Sequence, residues 1–567
     1  MIGSFHGRAV VFFLLFAFLS ALPAHAANAP VLFFEDLQSG PNSGGESING
    51  FSGSYVTLYG NFFGSTQGNS TATLNGANCL RVVFWGTTYM WYQKIVVQLG
   101  STCTSGNFVV TVGGQTSNAL SFAVRGGNIY CVTTSGNDAS TGKFPSSCWN
   151  TITHARGAVA AGDIVYVRNG ITQNSDDGFG SPLNISGING TAANPYALVV
   201  YPGETATIGG NANSRGIIQY PNTSQYWVLA GFIIQNTGVA SGSSGEGLHL
   251  YQGSSNWRIA ANSFTCPQGD GFTGCVTTDG AANIAFLGNR IHDTGATGAD
   301  KTYHAFYFGD HTTSLNQNIE VGWNTVNNIH GCRGIMFHSI DSTPGAEGFN
   351  LTVHDNLIHD TQCDGIAFAN VNPDKGPVVA YNNVLYNTGT GPDPQGQGAN
   401  YSCIYVGDTN GSPTTPAQIY NNTCYNGGSR GASQGDAGAF TAYIPARYTN
   451  NIVYELPGEA YFTNSTLSQC GSCISGSNNI WFGAGSAPSQ TTGNITVDPL
   501  FMNRTAFDFH LQTGSPAISA GVGMNIARDV DGVARPQIGI GIGAYESAAG
   551  TVVQRPNPPT NLLVTVQ

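Results

Sequence analysis

The sequence predicts an all-β chain whose main body is a right-handed parallel β-helix, a solenoid, preceded by a small β-sandwich. Three observations predict this fold. A turn asparagine followed by apolar residues recurs at intervals of 27 to 39 residues, and a second apolar strand recurs between these positions. The chain has 77 glycines and only 9% charged residues, yet 41% of it is hydrophobic, which favours a turn-rich ordered β protein over disorder.

The asparagine repeat indicates coils that stack along one axis. A single coil cannot bury its inward side chains, so neighbouring coils stack and pair their strands in parallel. We expect the turn asparagines to adopt a left-handed conformation and to hydrogen-bond from coil to coil. The repeat comprises Asn262, Asn289, Asn324, Asn356, Asn383, Asn422, Asn451 and Asn479.

The second repeated strand, Gly-Ile-x-Phe in its clearest form, predicts which side chains face the core. Alternation places one side chain inward and the next outward. Two inward stacks are expected: Phe306, Ile335, Ile366 and Ile404 in one, and Phe308, Phe337, Phe368 and Val406 in the other. The outward positions are His249, Tyr307, Met336, Ala367, Tyr405 and Thr441. Larger sandwiches and propellers fit these intervals less well, because each propeller blade needs four strands.

Residues 28–125 differ from the rest of the chain in their pattern. Short alternating runs separated by Gly and Asn predict a small sandwich. The phrases "YVTLYGNFFG" and "VTVGGQTSNALSFAV" resemble the IPT/TIG immunoglobulin-like family. This resemblance implies a spacer or binding module without catalysis.

Two long segments of the remaining chain resemble secreted right-handed β-helix proteins of the pectate-lyase-like superfamily. The phrase "YCVTTSGNDASTGKFPSSCWNTITHARGAVAAGDIVYVRNG" is similar to their opening segment, with a capping helix over residues 149–160. The phrases "DPLFMNRTAFDFHLQTGSPAISAG" and "RDVDGVARPQIGIGIGAYE" resemble their closing, choice-of-anchor-like segment. The predicted β-helix therefore spans residues 128–547, and residues 548–567 form a Pro-rich tail.

The first residues and the cysteines predict an exported protein. An apolar run after Arg8 ends in Ala24-His25-Ala26, which predicts a signal peptide over residues 1–26 and no transmembrane segment. An even number of cysteines in such a chain predicts disulfides. Sequential pairing gives Cys79–Cys103, Cys131–Cys148, Cys266–Cys275, Cys332–Cys363, Cys403–Cys424 and Cys470–Cys473.

The partner predicted from charge and fold is a polysaccharide. The net charge is −12, and without a basic stripe a nucleic-acid partner is excluded. Surplus residues fall on both sides of the Gly-Ile-x-Phe strand, so loops are expected to form the walls of a groove. His249, Tyr307 and Tyr405 are its predicted substrate-binding residues. Tyr307 and Tyr405 packing under their own loops is the alternative.

Ionisable residues around this floor predict a candidate catalytic site. His304, Arg333 and Asp364 occupy equivalent positions in successive coils, with Lys301 and His338 nearby. Lys301 or His304 would abstract the C5 proton of a uronic acid, and Arg333 would neutralise its carboxylate, giving β-elimination. A second prediction is Ca²⁺ held by the carboxylates that follow the strands, namely Asp279, Asp310 and Asp408.

Other interpretations of the same residues remain open. The pair Lys301 and Arg333 is similar to the Lys/Arg pair of chondroitinase-B-like and alginate lyases, but the surrounding residues differ. Asp364 and Asp408 could instead serve a glycoside hydrolase. Arg333 and Asp364 could form only a structural ion pair. The alternative to an enzyme is an extracellular glycan-binding or cell-surface β-helix protein, and a purely structural or adhesive solenoid is a third reading.

Overall fold

The computed structural model describes residues 28–210, 215–238, 245–296, 301–391, 401–407, 411–428 and 437–546. The predicted signal peptide, the whole of the predicted tail and Asp408 lie outside these residues. The predicted fold is confirmed: the chain is all-β, with a parallel β-helix preceded by a small two-sheet domain. Within the described residues, no helix is long and apolar enough to span a membrane.

Three parallel sheets run along the β-helix, and successive coils contribute one strand to each. The first sheet comprises Ile129–Val132, Ile164–Val167, Tyr196–Val200, Gln225–Ala230, Ser255–Ala260, Ala282–Leu287, Gln317–Gly322, Phe349–His354, Val378–Tyr381, Ala417–Tyr420, Ala446–Thr449 and Ile474–Ser477. The second comprises Thr172–Gln173, Thr207–Gly209, Ile233–Gln235, Ser263–Cys266, Arg290–Thr294, Thr325–Ile329, Leu357–Thr361, Val384–Thr388, Thr423–Gly427, Ile452–Tyr454 and Ile480–Phe482. The third comprises Leu183–Asn184, Arg215–Gln219, Glu246–Leu250, Thr273–Asp279, Tyr303–Asp310, Ile335–Ser339, Ile366–Phe368, Ile404–Val406 and Phe440–Ala442.

The register of the third sheet confirms both predicted core stacks. Phe306 pairs with Ile335, and the row continues through Ile366 and Ile404; Phe308, Phe337, Phe368 and Val406 form the parallel row. All eight side chains are fully buried. Phe308 and Phe337 stack with ring centroids 4.5 Å apart, so aromatic packing supports the coil spacing.

The predicted asparagine ladder is present over all eight positions. In each step the side-chain amide and the backbone N–H both donate to the carboxamide oxygen of the next asparagine. From Asn324 to Asn356, for example, the two distances are 3.0 and 2.9 Å. The other steps repeat this pattern. The side chains are buried, and these bonds satisfy them inside the corner.

The prediction that the ladder asparagines are left-handed is wrong by one residue. The left-handed residue is the one that precedes each ladder asparagine, with φ between 51° and 61°. These residues are Ala261, Gly288, Trp323, Asp355, Asn382, Asn421, Asn450 and Asn478. The left-handed turn re-aims the chain, so the following asparagine can point along the helix axis.

The domain in front is a sandwich of two sheets. One sheet comprises Val31–Glu35, Tyr55–Asn61, Tyr92–Leu99 and Leu80–Tyr89; the other comprises Ser39–Gly40, Leu120–Val124, Gly106–Val112, Thr71–Leu74 and Gln115–Thr116. Short helices cover Ile152–Ala158 and Asn464–Cys470, with a 3-10 turn at Arg504–Ala506. The hairpin Phe501–Asn503 and Asp508–Leu511 belongs to the closing segment, residues 498–546.

The sandwich and the closing segment both dock on the corner formed by the left-handed residues. Tyr89 and Tyr92 of the sandwich donate hydroxyl hydrogen bonds to the carbonyls of Gly288 and Trp323. In later coils the corner asparagines donate to closing-segment carbonyls: Asn382 to Arg528, Asn421 to Gly541, Asn450 to Val522 and Asn478 to Ala520. The docked units also touch each other, since Asn61 Nδ2 donates to Asp531 O at 3.1 Å.

All six predicted disulfides are formed, and they use all twelve cysteines. The bridge Cys79–Cys103, here called the sandwich disulfide, lies in the front domain. The bridge Cys332–Cys363, here called the site disulfide, joins two adjacent coils. Its cysteines directly precede Arg333 and Asp364 in the chain, so it ties together the two coils that carry these residues.

Candidate functional site

The outward face of the third sheet carries the predicted floor. His249, Thr277, Tyr307, Met336, Ala367, Tyr405 and Thr441 follow one another in register across successive strands. Tyr307, Met336, Ala367 and Tyr405 pack together in a cluster separate from the main core. Tyr307 and Tyr405 are only 3% and 6% exposed, so they form the base of the site beneath other side chains.

A cavity of about 350 Å³ opens above this floor. It brings together Lys301, His304, Arg333, His338, Tyr307 and Tyr405, all of which the sequence predicts as site residues. Its remaining lining residues are Phe272, Thr302, Met336, Ala369 and Asn370. Sequence reasoning missed Phe272, Thr302, Ala369 and Asn370, because they carry no repeat signal and reach the cavity from strand ends and loops.

The predicted row His304, Arg333 and Asp364 is real, and Ser402 extends it by one coil. Arg333 Nε donates to Asp364 Oδ2 at 2.8 Å, and Ser402 Oγ donates to Asp364 Oδ1 at 2.6 Å. Each contact links neighbouring coils, as the spacing of parallel strands allows. Asp364 is fully buried and is not part of the cavity lining. Asp364 therefore lies behind Arg333 and orients its guanidinium, and its predicted catalytic role stays a prediction.

The two histidines of the cavity are held neutral. Burial, with Arg333 second, holds the pKa of His304 well below its ordinary value and lowers the pKa of His338 to about 4. The backbone N–H of Arg333 donates to His304 Nδ1 at 3.3 Å, so the neutral ring carries its proton on Nε2. In this tautomer His304 presents an N–H donor on Nε2, and its role as the base stays a prediction.

Tyr307 and His338 form a pair of proton-carrying groups. Tyr307 Oη lies 3.5 Å from His338 Nδ1, at the edge of hydrogen-bond range. Burial raises the pKa of Tyr307, so its hydroxyl keeps its proton. The Tyr307 ring also lies 5.5 Å from the His304 ring in a stacked orientation. The cavity thus holds a neutral imidazole beside a protonated phenol.

His249, a predicted substrate-binding residue, does not line this cavity. Its Nε2 lies 2.8 Å from Asp279 Oδ2 and its Nδ1 lies 3.2 Å from Glu246 Oε1. Thr277 separates it from Tyr307 in the register. The ring is 6% exposed and stacks on Tyr251 with centroids 3.9 Å apart.

Asp279 and Asp310, two of the three predicted Ca²⁺ ligands, lie on opposite faces of the third sheet. Asp279 pairs with Gly309, so Asp310 lies one residue further along its strand. A one-residue offset turns side chains to opposite faces, and Asp310 is fully buried where its carboxylate accepts the N–H of Asn316. Asp279 is engaged by His249. Within the described residues, neither belongs to a cluster of three ligating side chains.

The cavity is cationic in its described part. Lys301 and Arg333 line it, the two histidines are neutral, and no Asp or Glu occurs among its described lining residues. The carboxylate nearest to Arg333, that of Asp364, is sealed behind the guanidinium. Such a lining suits a ligand that carries a carboxylate and hydroxyl groups.

The fold and the cavity define a class: a parallel β-helix protein with a cationic cavity on the outward face of its third sheet. No protein family matches the sequence, and no curated protein does so either. Similar solved structures include pectate lyase Pel9A, with 15% identity over 74% of this chain and 96% of that chain and a TM-score of 0.45. A family 28 exopolygalacturonase of Yersinia enterocolitica has 12% identity over 83% and 99%, with a TM-score of 0.36. PfbA, a surface adhesin of Streptococcus pneumoniae, has 12% identity over 60% and 76%, with a TM-score of 0.33. The fold assignment rests on the sheet topology of the chain itself.

Proposed function

We propose that the protein is an extracellular polysaccharide lyase that acts on a chain containing uronic acid. The observation that carries this proposal is the composition of the cavity: two cations, two neutral imidazoles and two tyrosines, without a carboxylate among the described lining residues. β-Elimination needs a cation for the substrate carboxylate, an unprotonated base and a proton donor. Each of these has a candidate within the cavity.

In the proposed reaction Arg333, supported by Lys301, binds the uronate carboxylate and stabilises the negative charge that develops on it. Neutral His338 takes the proton from C5, and the electron pair left on C5 forms the C4–C5 double bond. The C4–O bond breaks, and the leaving oxygen receives the phenolic proton of Tyr307. The products are a new chain end and an unsaturated uronate. His338 then passes the proton that it took from C5 to Tyr307, directly or through solvent, which restores both groups for the next cycle.

A glycoside hydrolase is less well supported by the same site. Such enzymes use two carboxyl groups that flank the scissile bond. Of the two predicted carboxylates, Asp364 is fully buried behind Arg333 and Asp408 lies outside the described residues. The exported location is supported by six disulfides, which persist in oxidising compartments.

The test is incubation of the purified chain with polygalacturonate, alginate, hyaluronan, rhamnogalacturonan and xylan. A lyase produces unsaturated ends that absorb in the ultraviolet, a hydrolase produces reducing ends without this absorbance, and a binding protein produces neither. His338→Ala and Tyr307→Phe should abolish the absorbance change. His311→Ala is the matched control, because His311 pairs with Asp341 outside the cavity. Reducing ends alone, or full activity of His338→Ala, would contradict the proposal.

A further inference from the structure

A row of aromatic rings lies on the third-sheet side of the β-helix, in the coils that precede the cavity. The ring centroids of Phe179 and Tyr220 are 4.9 Å apart, and those of Tyr220 and Tyr251 are also 4.9 Å apart. Phe179 is 53% exposed and Tyr220 is 39% exposed. Contiguous exposed aromatic surface of this kind is typical of binding sites.

The row is aligned with the cavity. Extending the strand register by one residue places Tyr220, Tyr251, Asp279, Gly309 and His338 at equivalent positions in successive coils. Tyr251 and His338 are therefore three strand spacings apart, or about 14 Å. A linear chain that occupies the cavity and follows the helix axis would pass over these rings.

Buried charged groups hold the last ring of the row in place. The His249 ring stacks on Tyr251 with centroids 3.9 Å apart and an interplanar angle of 11°. His249 is itself fixed between Glu246, at 3.2 Å, and Asp279, at 2.8 Å. The orientation of Tyr251 is thus set before any ligand binds, which lowers the entropic cost of binding.

The same network reaches the first ring of the row. Arg215 Nη1 donates to the carbonyl of Phe179 at 3.3 Å, and its Nε lies 3.5 Å from Glu246 Oε2. Burial opposes protonation of His249, but Asp279 and Glu246 raise its pKa to about 9, so the ring is charged at neutral pH. Two cations then balance two carboxylates. The platform is electrically neutral, unlike the cationic cavity.

We propose that Phe179, Tyr220 and Tyr251 form a distal sugar-binding subsite, where pyranose rings of the polysaccharide stack while another part of the chain occupies the cavity. Sugar rings have apolar C–H faces that pack against aromatic rings, and their hydroxyl groups remain in water. Neutrality favours this stacking over a second carboxylate contact. The inference rests on the proposed function for its ligand, a polysaccharide, but does not require cleavage.

The test is electrophoresis through native gels that contain polygalacturonate, alginate, hyaluronan, rhamnogalacturonan or xylan. We expect at least one polymer to retard the wild-type chain. Tyr220→Ala and Tyr251→Ala should weaken this binding by about two- to tenfold, and Tyr220→Phe should retain it. Tyr420→Ala is the matched control, because Tyr420 stacks on Tyr381 in the first sheet, away from the groove. Its binding should equal that of the wild type.

The two proposals fail in distinguishable ways. If a polymer retards the wild type more than Tyr220→Ala and no unsaturated product forms, the subsite is supported and the lyase proposal is refuted. If Tyr220→Ala forms unsaturated product and its KM on long chains equals that of the wild type, the subsite is refuted and the lyase proposal is supported. Absence of wild-type retardation in all five gels, or equal retardation of every variant, overturns the subsite. Thermal melts of each variant identify any loss of binding that is caused by unfolding.

Discussion

Replacing Asp364 by asparagine removes the negative charge that holds Arg333, and we expect the free energy of unfolding to fall by about 3 kcal/mol. The pair is 2.8 Å long, and its side chains are 13% and 0% exposed. Two unit charges about 4 Å apart at an effective dielectric constant of about 20 attract by about 4 kcal/mol. The amide of asparagine recovers part of this, because it still accepts the hydroxyl of Ser402.

The double variant Arg333→Met with Asp364→Asn separates positioning from stability. Each single variant leaves one buried charge alone, whereas the double variant leaves none. Its loss of stability should be about 2 kcal/mol smaller than the sum of the single losses. Activity should not recover: kcat/KM of Asp364→Asn should fall by about a hundredfold, and that of the double variant should fall at least as far.

Urea unfolding and initial rates on the active polymer measure both effects. Glu204→Gln is the control, since the Arg168–Glu204 pair is partly exposed, at 30% and 20%, and should cost less than about 1 kcal/mol. A loss of stability in the double variant that equals the sum of the two single losses would refute the coupling. Wild-type kcat/KM in Asp364→Asn would refute the positioning role.

Further outcomes follow from the pKa shifts, the disulfides and the ladder. Because burial and Arg333 lower the pKa of His338 to about 4, kcat/KM should fall as the pH drops through about 4, and a flat acid limb would exclude this base. The pKa of His249 is raised from 6.5 to about 9, so the stability that protonated His249 gives the fold is fully present below pH 6.5 and is lost as the pH rises through about 9. The melting temperature of His249→Gln should therefore fall less than that of the wild type as the pH rises through about 9. Serine at both cysteines of the site disulfide should lower kcat/KM more than the same change at the sandwich disulfide, although each removal costs about 2–4 kcal/mol; equal rates would contradict this. Asn356→Ala should lower the free energy of unfolding by about 3 kcal/mol, because the buried Asn356 side chain donates two hydrogen bonds and accepts two. Asn327→Ala, at a half-buried position, should lower it far less in the same denaturant titration.

Repetition made much of the fold predictable. Phe306, Ile335 and Ile366 recur at one phase, and the hydrophobic effect then requires them to stack. The ladder was predicted for the same reason, but the left-handed turn was assigned to the wrong residue. The Asn-Asn doublets at 382–383, 421–422, 450–451 and 478–479 contained the correction, because the first member takes the left-handed turn and the second bonds along the axis.

The site was predictable where register alone decides it. Equivalent positions in successive coils brought His304, Arg333 and Asp364 together, as the repeat indicated. The burial of Asp364 was not predictable, because Asp364 precedes a glycine and such a pair is typical of an exposed turn. Asp279 and Asp310 are offset by one residue in the strand register, which no unaligned sequence reveals, and the Ca²⁺ site stays a prediction.

A linear array of repeats ordinarily begins to come apart at a terminal unit, whose outer face lacks a neighbour. In this chain the leading domain and the trailing segment meet, through Asn61 with Asp531 and Trp91 with Val530. Unfolding from either end of the β-helix therefore also requires these two hydrogen bonds to break. Because the two docked units pack on coils from Ile129 to Ile480, fraying at both ends of the β-helix is suppressed.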